Sequence, residues 1–228
     1  MTTTMARTMT SISAAISTTS ASIPSTTSPS TPSTTSSPTT STSTPTTTAP
    51  IPTYVFPFAM RNVSYGTDHH DYPAVDVFGC KALVIAPTSS TVAQISTVDR
   101  WPGSGNNPAY RGGHFVSLIG ADGVRYYFAH LADVDVVAGQ FVTTGTPLGV
   151  MGQTGNAANS ACHTHFGISW PCPGKEWQVR RGKIWPQKYL DAWRNGEQLS
   201  PVDEIAQVEG AEPDACAIAM ADPDAGLS

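Results

Sequence analysis

Cys162-His163-Thr164-His165-Phe166 places two imidazoles one residue apart on a stretch that reads as a buried β-strand. Side chains alternate across a strand, so His163 and His165 face one way while Thr164 and Phe166 face the other. Same-face neighbours lie about 7 Å apart along a strand, close enough for two imidazoles to serve one metal ion and its water. A pair of hydrogen-bonded histidines beside a core is the plainer alternative, so the remaining polar groups must decide. One such group is Asp68-His69-His70-Asp71-Tyr72-Pro73-Ala74-Val75-Asp76-Val77, a polar loop entering a short strand with Val75 and Val77 on one face and Asp76 on the other. Another is His130, at the end of the run Val124 to Leu131. A hydrolytic zinc site takes three ligands from His and carboxylate and leaves one position for water; it needs no thiolate. One histidine of the loop, Asp76 and one of the strand pair complete such a set. The two histidines left over then have proton work, one accepting from water and the other stabilising an oxyanion or protonating the leaving amine.

The elements that must hold these groups are mostly strands. Ala82 to Pro87 is an apolar run, Thr91 to Ile95 alternates, and Phe115–Ile119 and Val124–Leu131 flank Ala121-Asp122-Gly123. Asp-Gly between two β-rich runs predicts a hairpin with a tight primed turn. Alternation would put Tyr126 and Phe128 on the face of His130, walling the cleft. Residues 99–113 form a long turn-rich insertion, and insertions of that length tend to be functional or mobile. Asn156 and Asn159 read foremost as turn formers, and His114 as a surface residue. Pro186 to Arg194, stopped by Gly196, predicts a short helix packing Leu190 and Trp193. The class is all-β, with many short antiparallel strands.

Composition bounds the rest. Every residue from Pro24 through Thr48 is Ser, Thr or Pro, a segment too poor in apolar surface to offset its ordering entropy. Residues 1–50 therefore read as a disordered stalk, residues 52–205 as one domain, and residues 206–228 as a loose acidic tail. A net charge of −5 argues against nucleic acid as a partner, and no apolar run reaches the length of a membrane span. Arg7 followed by Ile12 to Ile16 makes a poor export signal; the stalk is the better hint of export, as a spacer crossing a cell wall. Four cysteines, Cys80, Cys162, Cys172 and Cys216, fit neither a dense disulfide scaffold nor a Cys-x-x-Cys zinc site. Cys162 faces away from the histidine pair, and a strand over 162–168 carries the chain about 20 Å, farther than the next four residues return. Cys162–Cys172 is thus disfavoured, and Cys80 is the expected partner of one of the two.

Taken together, His70…Asp76, Tyr127-Phe128-Ala129-His130-Leu131, Val137-Ala138-Gly139-Gln140-Phe141-Val142…Gly145…Leu148-Gly149…Gly152-Gln153-Thr154-Gly155 and His163-Thr164-His165-Phe166 resemble the lysostaphin/LytM-type zinc endopeptidases of bacterial peptidoglycan. The resemblance covers residues 69 to 169. It implies a duplicated-hybrid-motif antiparallel sheet core, a Zn2+ cofactor, peptidoglycan peptides as partner, a secreted or wall-associated location and a chain acting as a monomer. It also implies zinc ligands at the histidine before the Asp, at Asp76 and at His165, with His130 and His163 as the catalytic pair. The family usually places its first ligand three residues before the Asp, where this chain has Tyr72; His70 is preferred over His69 as the closer. His69 then stands behind as a hydrogen-bonding support. A non-catalytic relative that binds the wall or activates another hydrolase is the alternative, disfavoured by the full ligand set. Val137 to Gly149 also resembles biotin- and lipoyl-carrier hairpins, but no lysine lies between Lys81 and Lys175 to carry the group.

Overall fold

The hairpin at residues 115–129 shows how the sequence builds its sheet. Leu118, Tyr126 and Phe128 are fully buried, while Asp122 turns its carboxylate back on the chain. Its Oδ1 accepts from Val124 N at 3.1 Å and its Oδ2 from the Tyr126 hydroxyl at 2.6 Å. Only Gly123 of the Asp-Gly pair takes a positive φ, 82°. The connection is therefore a right-handed turn closed by a left-handed glycine rather than the primed turn expected, because the Asp122 carboxylate is already engaged locally.

In a computed structural model of the chain, residues 53–101 and 107–225 are described. The stalk, the export segment and the centre of the 99–113 insertion lie outside them. In chain order the strands are β1 (Phe58–Ala59), β2 (Ser64–Tyr65), β3 (Val75–Phe78), β4 (Leu83–Ile85), β5 (Ser90–Ser96) and β6 (Phe115–Gly120). They continue with β7 (Arg125–Ala129), β8 (Leu131–Val134), β9 (Phe141–Val142), β10 (Pro147–Met151) and β11 (His163–Ser169). Among the described residues they form two antiparallel sheets, ordered β1-β4-β10-β8 and β2-β3-β11-β7-β6-β5-β9. β11 holds a central place in the larger sheet, between β3 and β7.

The core gathers where the apolar faces of these strands meet. Phe128 stacks on Phe166 at 4.9 Å between ring centroids, and Phe58 of the smaller sheet sets its edge against both. Complete burial of side chains of this size is worth about 1.5–3 kcal/mol each, which fixes the register of β7 on β11.

The expected helix forms as α1 (Gln187–Arg194), with Leu190 and Trp193 buried and Trp193 stacked on Tyr54 at 5.4 Å. The tail is more ordered than its composition implied. It continues as α2 (Val202–Ala211) and α3 (Ala215–Met220). Ile205 and Ala219 anchor the two helices in the core, and Asp203 and Glu204 complement the N-terminal end of α2. Disulfides join Cys80 to Cys162 and Cys172 to Cys216. The second of these ties α3 to the body of the domain.

Candidate metal centre and its cleft

Strand register does most of the work of assembling the site. β3 lies beside β11 with Asp76 opposite His165 and Phe78 opposite His163. On the other side His165 stands opposite Ala129 of β7. Directly opposed residues share a face, so Asp76, His163 and His165 project together while Val75, Val77, Thr164 and Phe166 are buried beneath them. The Cys80–Cys162 disulfide closes the adjoining ends of the two strands.

Backbone carbonyls then fix each imidazole. His165 Nε2 donates to the Arg181 carbonyl at 2.8 Å, so its Nδ1 carries the lone pair. That Nδ1 faces Asp76 Oδ1 at 3.3 Å. Two acceptors at this separation hold together only around a positive centre, a proton or a metal ion. His69 brings a third donor, its Nε2 standing 3.8 Å from the same carboxylate oxygen. Ligand atoms of His69, Asp76 and His165 all lie within 4.8 Å of one another. A His-His-Asp set leaving room for water suits zinc in donor chemistry, so these residues fit the ion.

His70 is not part of this group. It is exposed at the rim of the cleft, whereas the His69 ring is packed 4.5 Å from Tyr72 and 4.9 Å from His165, with its Nδ1 buried and unpartnered. Adjacent loop residues point apart, and packing of His69 against Tyr72 selects which one turns inward.

His163 and His130 flank the group. His163 Nδ1 donates to the Ala161 carbonyl at 2.6 Å, leaving Nε2 at 3.9 Å from Asp76 Oδ2. His130 Nδ1 donates to the Thr154 carbonyl at 2.9 Å, and its ring lies 4.9 Å from that of His163. The His130 backbone has a φ of 64°, a left-handed conformation that costs a non-glycine residue free energy. This single reversal between β7 and β8 breaks the alternation. Tyr127 and Ala129 therefore line the cleft, while Tyr126 and Phe128, expected as its walls, are in the core. His114, half-buried, pairs with the Ala132 carbonyl and does not line the cleft.

The electrostatics follow from burial and neighbours. Burial pushes the Asp76 carboxyl up, but the close pairing with His165, with positive charge on it, and the neighbouring His163 and His69 outweigh it and hold the group down at about 2. Burial lowers His69 to about 4, with His165 adding and Asp76 opposing. His130 falls to about 3, by burial first and then by His165 and His163.

Five of the six histidines (all but His114) and Asp76 open onto one cleft of about 400 Å³, the size of an ordinary ligand site. Its far wall comes from the segment after β11 and includes Trp177, Arg180 and Arg181. Sequence reading missed this wall. The signal was an arginine doublet close to a tryptophan in a chain with 12 basic residues. Gly167, next on the face of His165, lets that segment approach: a Cβ there would stand 2.1 Å from the Arg181 carbonyl oxygen.

The family model described as peptidase family M23 matches residues 73–179, which contain Asp76, His130, His163 and His165. No curated protein matches significantly. Among solved structures, the catalytic domain of lysostaphin from Staphylococcus simulans is 23% identical, covering 57% of this chain and 91% of its own, with a TM-score of 0.42.

 

Full lysostaphin from the same organism is 25% identical, covering 62% of this chain and 54% of its own, with a TM-score of 0.45. A zinc-containing peptidase from Vibrio cholerae is 15% identical, covering 58% of this chain and 38% of its own, with a TM-score of 0.40. The chain thus spans about half the length of full lysostaphin. The family match carries the likeness: residues 73–179 match the model of peptidase family M23.

Proposed function

We propose that this domain is a zinc-dependent endopeptidase that hydrolyses peptide bonds in bacterial peptidoglycan. The observation that carries the reading is the His69, Asp76 and His165 group inside an M23 domain, with two further imidazoles on its flank. His69, Asp76 and His165 would hold the ion, with His69 taking the place expected of His70. Bound there, zinc supplies Lewis acidity toward the scissile carbonyl and toward water.

The remaining roles belong to the chain. With Nδ1 of both His130 and His163 committed to carbonyls, either ring in its neutral form offers a bare Nε2 to the cleft. One of these takes the proton of the attacking water and, as Nε2–H, donates it to the departing amine. The Asp76 carboxylate, 3.9 Å from His163 Nε2, favours His163 as the carrier. His130, neutral at rest, is left to orient the water and to meet the developing oxyanion once protonated. Two disulfides suit an oxidising compartment outside the cytoplasm, where a wall hydrolase works.

The test is zinc content of the intact protein together with peptide release from purified peptidoglycan. Stoichiometric zinc and peptide release, both lost in His165→Ala, are expected. Release that survives this substitution unchanged would overturn the reading.

A further inference from the structure

The cleft is cationic although the chain is acidic. Arg111, Arg180 and Arg181 line it against the two carboxylates of Asp71 and Asp76, in a protein with 12 basic and 17 acidic residues. Beneath the wall, Arg125, Glu176 and Arg180 are all essentially buried. Glu176 pairs with Arg125 at 3.6 Å, and its other oxygen accepts from the backbone of Val179 and Arg180. Among the described residues Arg180 meets the neutral Gln94 amide, at 2.6 Å, and the rings of Phe115 and Tyr127. Two buried guanidiniums thus share one buried carboxylate. Burial brings Arg125 down to about 10, Glu176 opposing the shift and the charge of Arg180 adding to it.

Arg181 stands at the surface of this positive field. Its guanidinium lies 3.8 Å over the Tyr72 ring and 5.0 Å from Trp177. Its Nε has no hydrogen-bond partner, and no ion pair engages it among the described residues. Stacking holds the planar fork in place, so little freedom remains to be lost on binding an anion. Tyr72 is also 5.7 Å from the His165 ring, which sets the fork beside the metal group.

We infer that Arg181 is a carboxylate-recognition site next to the scissile bond, so that this domain selects peptides bearing a free carboxylate there over those that carry none. The inference rests on the peptidase reading for its substrate and names the class. Tyr72, standing where the family usually has its first ligand, thereby serves as the platform for the recognising arginine.

The experiment compares two peptides identical except for a free carboxylate or a carboxamide beside the cleavable bond. Binding is measured by calorimetry to the full chain carrying His163→Ala, which suppresses turnover, and hydrolysis is measured with the unsubstituted chain. The acid should bind about tenfold or more tightly, with the preference shrinking as salt rises. Adding Arg181→Gln should remove the preference by weakening the acid alone, with zinc content unchanged. Arg181→Lys should restore only part of it, since an ammonium cannot form the stacked fork. Equal affinity for acid and amide, or equal weakening of both by Arg181→Gln, would overturn the inference. Selective binding of the acid with hydrolysis of neither peptide would sink the peptidase reading while supporting carboxylate recognition.

Discussion

The two faces of β11 are equally buried and differently held. Thr164, Phe166 and Ile168 are sealed on one side, His163 and His165 on the other, and each of these residues is less than a tenth exposed. On the first face Phe166 is held by ring contacts, which are non-directional and fail in proportion to the volume removed. On the second, each imidazole is held by one carbonyl at one nitrogen. Burial therefore does not separate core from site in this strand. Directionality does.

That difference can be broken from either side. The largest effect should come from the polar face: His165→Ala or His69→Ala abolishes stoichiometric zinc, as read by elemental analysis of the purified protein. On the apolar face, Phe166→Ala should cost about 3–5 kcal/mol in denaturant unfolding, while the folded fraction keeps its zinc. His163→Ala should retain zinc yet slow peptide release by about a hundredfold or more. Away from both faces, Cys216→Ser should lower stability by about 2–4 kcal/mol without altering metal content. The smallest effect belongs to His70→Ala, which should leave zinc intact and shift stability by less than about 0.5 kcal/mol.

Much of this arrangement was legible in the sequence, because strand alternation is a strong periodic signal. It placed His163 with His165, set Asp76 opposite Val75 and Val77, and located the hairpin ending at His130. What escaped it has local causes. His69 and His70 are neighbours in a loop, where no period says which turns inward; the decision lies in packing against Tyr72. The orienting partners of His130, His163 and His165 are main-chain carbonyls, which any residue can supply and which leave no mark in composition. The left-handed backbone at His130 reversed the expected faces of β7. The tail helices are short and rich in alanine, and a disulfide to a distant cysteine anchors them.

Gly167 carries no chemistry, yet it determines how mutations in this strand would be read. Because the Arg181 main chain rests directly on it, any larger side chain there displaces the carbonyl that orients His165. A genetic screen scored on wall lysis would rank this position with the histidines. An inventory limited to polar residues would pass over it.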